Sequence, residues 1–424
     1  MVRLLSCHSR DILRIVKYTF PKDFTWGTAT SAHQIEGNNI NSDWWVWENS
    51  KKYFSKESGV VSEREFPLEP SGIACDSYNR YEEDFDLCID LNNNAVRISI
   101  EWARIEPTQG NFDEKELAHY RKVLKSARSR GLKTFVTLHH FTNPIWFSKL
   151  GGWTNVNAPT YFAKYAKKCA EEFADLIDVF LTINEPQVYV YMSYFHGIWP
   201  PNKVGAVLSL WVQINLARAN NKAYDAIKGS PFKKRVAPTI GIVKNIVWYE
   251  ASNSSKNPLD KLVASFLYFI GGDFFFLMIR NKFDLIGLNY YFTNRIKDLK
   301  TKNPDDVVND LGWWIYPNGL YNILLSLKKY NVEIYVTENG LADEKDEKRE
   351  PFIRDMLESC AKAIDKGVNL KGYFHWSLLD NYEWHHGFWP CFGLVKVDRK
   401  TLKRTKRPSF KYYSEICKTG ELNL

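Results

Sequence analysis

Residues 333–340 read Glu-Ile-Tyr-Val-Thr-Glu-Asn-Gly. A short apolar run rich in β-branched and aromatic side chains ends abruptly in polar residues. A run of this length without alternation fits a strand buried on both faces, as in a parallel sheet. Seven other stretches have the same form: Phe24–Gly27, Ala95–Ile100, Thr134–Leu138, Val179–Ile183, Thr239–Val243, Phe283–Leu288 and Leu370–Trp376. Most gaps between them hold amphipathic, helix-like segments. Glu114–Arg130 stops at Gly131, Ala158–Leu176 carries Pro159 early, and Arg349–Lys366 ends at Gly367. Strand then helix, eight times over, is the count of a (β/α)8 barrel. The competitor, a doubly wound sheet, lacks a GxGxxG after the first strand. No linker, repeat or low-complexity tract divides the chain. The expected fold is therefore α/β, a single (β/α)8 TIM barrel forming one catalytic domain over residues 1–424.

Composition agrees with a large globular core. The chain has 424 residues, 45% hydrophobic and 25% charged, and a chain of this size buries roughly three quarters of its unfolded surface. Disorder, collagen and coiled coil are excluded as the main architecture. Aromatic residues reach 15%, with 15 Trp, 23 Tyr and 26 Phe, so rings are available both for the core and for a ligand with an apolar face. The net charge of +8 is mild for this length. The densest basic cluster is Arg399, Lys400, Lys403, Arg404, Lys406 and Arg407, read as a solvated surface loop. No nucleic-acid motif accompanies it, so no nucleic-acid partner is expected.

The seven cysteines form no CxxC. Neither a disulfide framework nor a zinc site is implied, and reduced thiols in a cytoplasmic protein fit best. The first 20 residues are too interrupted by charge to form a signal peptide. The longest apolar stretch, Leu262–Ile279, carries Gly271, Gly272 and Asp273 in its middle. It reads as buried or pocket-lining chain, not a membrane span, though contact with a membrane surface stays open.

A barrel of this kind places its reactive groups at the C-terminal strand ends. There the unusual residues cluster: Gln34, Arg97, Trp102, His139, His140, Asn184, Glu185, Asn289, Tyr291, Glu338, Trp376, Glu383 and Trp384. Glu185 and Glu338 each follow an apolar strand directly. A single such carboxylate more often caps a helix start, but two suggest paired acids across a scissile bond. Glycoside cleavage needs such a pair, one ionised beside the developing oxocarbenium ion and one protonated toward the leaving oxygen. Arg97, Asn289 and Tyr291 are candidates to hold the ionised member. Gln34, His140, Asn184 and Glu383 can bind sugar hydroxyls, which donate and accept. Trp376 and Trp384 can stack on a pyranose face. The pairs His139-His140 and His385-His386 make no chelate by themselves, since neighbours on a strand point opposite ways. No metal or cofactor motif is present.

The ordered set of segments resembles glycoside hydrolase family 1, its archaeal branch in particular, over roughly residues 20–415. The segments are Phe24–Gly37, Ala74–Tyr78, Arg97–Arg104, Thr137–Phe141, Thr182–Pro186, Gly287–Tyr291, Thr337–Gly340, Gly372–Trp384 and Phe392–Asp398. The resemblance implies a retaining β-glycosidase of the β-glucosidase/β-galactosidase type, acting on small β-glycosides without a cofactor. It implies Glu338 as nucleophile and Glu185 as acid/base. It implies Gln34, His140, Asn184, Glu383 and Trp384 as the glycone grip and Trp376 as the ring beneath the sugar. Arg97, Asn289 and Tyr291 match groups around the nucleophile, and Tyr291 counts also among the substrate contacts. Enzymes for 6-phosphorylated sugars resemble the chain but carry Ser at the position of Glu383, where a carboxylate would repel a phosphate. The alternatives are a non-catalytic sugar-binding barrel, a transglycosidase and a 6-phospho-β-glycosidase.

The chain departs from the family's pattern in places. The stretch from Asp273 to Phe283 is short, which predicts trimming between strands five and six. Asn220 stands where many members have His, Cys391 where many have Arg, and Thr142-Asn143-Pro144 replaces Asp-Leu-Pro. Residues 1–17 form an extension without an assigned role.

Overall fold

A computed structural model describes residues 17–50, 69–230, 238–304 and 307–424. Its centre is a closed barrel of eight parallel strands in chain order. These are β1 (Thr25–Ala29), β2 (Ala95–Ser99), β3 (Lys133–His139), β4 (Val179–Asn184), β5 (Thr239–Asn245), β6 (Leu285–Tyr290), β7 (Glu333–Asn339) and β8 (Leu370–Trp376). The ring closes where β8 pairs with β1, Gly372 opposite Thr25 and Trp376 opposite Ala29. All eight predicted runs are barrel strands, displaced by at most two residues at either end.

Helices cover the outside: α1 (Ser77–Asp90), α2 (Glu114–Ser129), α3 (Ala158–Phe173), α4 (Ala206–Lys228), α5 (Leu259–Ile279), α6 (Pro317–Leu327), α7 (Arg349–Asp365) and α8 (Pro408–Thr419). Their ends follow local chemistry. The Asp113 carboxylate accepts from the amides of Lys115 at 2.8 Å and Glu116 at 3.3 Å, capping α2. Pro159 sits in the first turn of α3, where its missing N–H costs nothing. Inside the barrel, Phe135, Leu181, Val243, Leu285 and Phe374 pack into one apolar cluster below the mouth. The interior is thus filled, and only the mouth can hold a ligand.

The expected trimming leaves the barrel wall intact. Strands β5 and β6 pair directly, from Gly241 opposite Leu285 to Asn245 opposite Asn289. A short strand, Trp248–Ala251, and α5 make the connection. Of the 1–17 extension only Lys17 lies within the described residues. It opens a strand, Lys17–Thr19, paired antiparallel with Glu421–Asn423.

Two expectations need correction. Leu262–Ile279 is not buried chain: it forms most of α5, and Leu262, Phe266 and Leu277 are 66%, 61% and 64% exposed. The helix continues through Gly271 and Gly272 by one wide turn, Phe269–Asp273. Such a turn frees a backbone carbonyl, and the buried Lys244 ammonium group donates to Gly271 O at 3.2 Å. The basic cluster is not wholly solvated either. Arg404 is buried against Asp84 at 3.0 Å and Arg407 against Asp380 at 2.6 Å, because two charges leaving water together need a partner at contact distance.

Candidate active site

Strand β4 ends at Asn184, and Glu185 then takes a left-handed backbone, φ 45° and ψ 58°, before Pro186 opens a helical turn. A non-glycine residue held there stores backbone strain on the order of 1 kcal/mol or more, a cost that clusters at functional sites. Glu338 lies on β7 beside Asn289 of β6. Gly340 follows two residues later, where a Cβ would stand 1.7 Å from the Trp376 carbonyl oxygen, so only glycine fits. Both carboxyl groups are buried, Glu185 to 5% and Glu338 to 3% exposure.

One guanidinium ties the two sides together. Arg97 on β2 donates through Nη1 to Glu338 Oε1 and through Nη2 to Asn184 Oδ1, the latter at 2.7 Å. The Tyr291 hydroxyl donates to Glu338 Oε2 at 2.6 Å. A cation and a hydroxyl therefore serve Glu338. Glu185 has a different escort: the amides of Asn289 and Asn245 both donate to its Oε1, at 2.6 Å and 3.2 Å. Asn289 was expected to support Glu338. It neighbours that residue in the sheet, but its amide nitrogen serves Glu185 and Asn184, and its Oδ1 accepts from Thr337 at 2.8 Å.

Burial pushes the Glu185 carboxyl up to about 8, and the charge of Glu338 adds to the effect; Asn289, Asn245 and Arg97 oppose it. Glu383 is likewise pushed up to about 8 by burial, then by Glu338 and Glu185, with Gln34 acting against. The Tyr291 phenol is driven well above its ordinary value by burial and by Glu338, so it remains a donor. His140 is driven well below its ordinary value by burial, with Arg97 contributing, so its ring is neutral. Neutral imidazole offers one donor and one acceptor, as a hydroxyl does.

The polar grip forms at and beyond the ends of β1, β3 and β8. Gln34, just beyond β1, donates through Nε2 to Asn381 Oδ1 at 3.1 Å, Tyr382 O at 2.9 Å and Glu383 Oε2 at 3.2 Å. His140 Nε2 lies 3.2 Å from Asn184 Nδ2. Its ring is near-parallel to Trp376 at 6.0 Å and to Trp384 at 5.9 Å. Trp384 is backed by Trp44 at 4.8 Å and Phe141 at 5.1 Å, which fixes its plane.

Two strand-end residues stay outside this group. Trp102 stacks on Tyr165 at 5.2 Å in the helical layer. His139 faces away from His140 and meets Asn143 Oδ1 at 3.1 Å, as alternation along β3 requires. Among the departures, Asn143 is a junction: it donates to Asp43 and Tyr189 and accepts from Trp153. Asn220 accepts from Thr182 at 2.6 Å within the core. Cys391 is half-buried, and Arg349 donates to its carbonyl at 2.7 Å.

Asn245 is the residue that sequence reasoning passed over. The signal existed, since it is a polar residue ending the apolar run Gly241-Ile242-Val243. The intervening Lys244 hid it.

Two buried carboxyl groups, one served by a cation and the other driven toward its neutral form, are the chemical requirement for acid-assisted glycoside cleavage. The comparisons with known proteins agree. The profile of Glycosyl hydrolase family 1 matches residues 16–276 and 273–422. A β-galactosidase of Pyrococcus woesei is 32% identical, over 92% of this chain and 94% of its own. Beta-glucosidase A of Thermotoga maritima is 31% identical, over 95% and 98%. Among solved structures, a β-glycosidase from Pyrococcus horikoshii superimposes with a TM-score of 0.85 at 35% identity, covering 96% of each chain. The chain belongs to glycosyl hydrolase family 1. It is an O-glycosyl hydrolase built on a (β/α)8 barrel, of the kind that cleaves with retention.

Proposed function

We propose that the protein hydrolyses terminal, non-reducing, non-phosphorylated β-D-glucosides and β-D-galactosides, with Glu338 as nucleophile and Glu185 as acid/base. The observation that carries this is the unlike surroundings of two like carboxyls. Oε1 of Glu185 is occupied by two amide donors. The proton therefore belongs on Oε2, the atom left for the leaving oxygen.

In the first step a Glu338 oxygen bonds to the anomeric carbon. The bond to the aglycone breaks, and its electron pair takes the proton from Glu185. The sugar is then an ester of Glu338, whose charge is gone. Glu338 is the largest charge raising Glu185, so Glu185 becomes the stronger acid, and its carboxylate is ready to take a proton from water. The water oxygen bonds to the anomeric carbon and the ester bond breaks, returning Glu338 as carboxylate and Glu185 as acid. Two inversions leave the β-configuration.

Glu383 in the glycone grip favours an unphosphorylated sugar, since a phosphate there would meet a buried carboxyl. The names of relatives, β-galactosidase and β-glucosidase, support both epimers. A mere sugar-binding barrel has no use for a strained Glu185 facing a second carboxylate. The test is proton NMR of 4-nitrophenyl β-glucoside hydrolysis. The β-anomer of glucose should accumulate before mutarotation; the α-anomer as first product, or no turnover, overturns the proposal.

A further inference from the structure

The outer face of α5 reverses the usual order. Its outward stripe is Leu259, Leu262, Phe266, Phe269, Ile270 and Leu277, each 41% exposed or more. The spacing is that of one helical face. The acid at the start of this helix, Asp260, points inward and accepts from the amides of Asp298 and Leu299 at 3.0 Å and 2.8 Å. Among the described residues α5 alone is long and apolar enough to cross a membrane, by length and composition. It does not span one, because Ala264, Gly272, Phe275, Phe276 and Ile279 are buried against the barrel side.

Among the described residues, nothing covers this face. The family profile breaks at 273–276, inside this helix. The alignment with the Pyrococcus woesei relative runs over 492 positions, more than the 424 residues here, so residues of the relative have no counterpart in this chain. Large bare apolar patches mark contact with a partner or a membrane.

Charge selects between these. Residues 252–282 carry Lys256, Lys261, Arg280 and Lys282 against only Asp260 and Asp273. Asp260 is buried, and Asp273 is paired with Lys329 at 2.6 Å. Lys256, Lys261 and Arg280 are exposed at the two ends of the stripe. An apolar stripe with basic ends fits an interface whose headgroups are anionic. The helix start packs against the strand Trp248–Ala251 that follows β5, and Asp260 bonds the turn at Asp298 and Leu299 beyond β6, so it lies by the loops that leave the C-terminal ends of these two barrel strands.

We propose that α5 docks the protein on an anionic lipid surface, lying flat in the headgroup region and presenting the barrel mouth at the membrane edge. A second copy of the chain is the rival occupant. Flotation of the full chain with phosphatidylcholine vesicles, with and without 30% phosphatidylglycerol, distinguishes them. The wild type should float with the phosphatidylglycerol vesicles and release in high salt. The double variant L262D/F266D should bind at least tenfold less, with activity on 4-nitrophenyl β-glucoside unchanged. Should that variant misfold, K256E/K261E, altered only at exposed positions, should show the same loss. A wild type that stays in solution overturns the proposal, as does binding indifferent to phosphatidylglycerol. A wild-type dimer that L262D/F266D converts to monomer assigns the face to a second copy instead.

Discussion

Glu338 and Glu185 are the same side chain in the same barrel mouth, both almost fully buried, yet their neighbours treat them differently. Glu338 accepts from a guanidinium and a phenol. Glu185 accepts from two uncharged amides on one oxygen and keeps the other free. The lesson is that burial alone does not set a carboxyl's task. Burial raises the cost of charge, and the presence or absence of a cation at contact distance then decides which group carries it.

The sharpest way to break this comparison is to remove each carboxyl and ask whether the defects differ in kind. Glu338→Ala should lose turnover of 4-nitrophenyl β-glucoside by on the order of 10^4-fold or more. Added azide should restore turnover by one displacement, so the glycosyl azide formed is the α-anomer. Glu185→Ala should give the β-azide, because two displacements still occur. The same anomer from both variants would abolish the assigned difference.

A smaller effect tests the proton. In Glu185→Ala, cleavage of an alkyl glucoside should fall about 10^2- to 10^4-fold more than that of a dinitrophenyl glucoside, whose leaving group needs no acid. Equal losses measured by initial rates would remove Glu185 as proton donor.

Glu383→Ser tests the glycone wall. Losing a hydrogen bond to a charged or strongly polar partner costs about 1.5–3 kcal/mol, or roughly 10- to 150-fold in kcat/KM on the glucoside. The ratio of 6-phosphoglucoside to glucoside activity should rise in the same assay.

The smallest effect concerns pH. As the proposed acid, Glu185 works while protonated, so kcat/KM should hold below about 8, the value to which burial and Glu338 push it, and fall above. Asn245 favours the ionised form, so Asn245→Leu should move that alkaline limb upward. A neutral hydrogen bond of about 0.5–1.5 kcal/mol corresponds to roughly half a unit to one unit. A limb that stays put, or moves down, removes Asn245 from the control of the proton.

The barrel was legible because β-strands buried on both faces must be apolar throughout, and eight such runs survive in the bare sequence. Glu185 and Glu338 were legible for the complementary reason, a charge ending an apolar run. Asn289 does stand beside Glu338 in the sheet, but its amide turns to Glu185, because a residue's strand is a property of pattern while its rotamer is a property of neighbours. The outward side of α5 was misread because hydropathy counts apolar residues without saying which way they point. Arg404 and Arg407 were misread as solvated because Asp84 lies 320 residues away and Asp380 lies 27 away in sequence. Pairing across such distances leaves no local trace.

The contact between Gly340 and the Trp376 carbonyl has a mechanical meaning. It joins the neighbouring staves that bear Glu338 and the Trp376 indole, backbone to backbone, with no side chain as spacer. The spacing between the Glu338 carboxyl and the Trp376 ring is therefore gauged by peptide geometry. Loosening of the surrounding helices on heating should leave that gauge unchanged until the wall itself gives way.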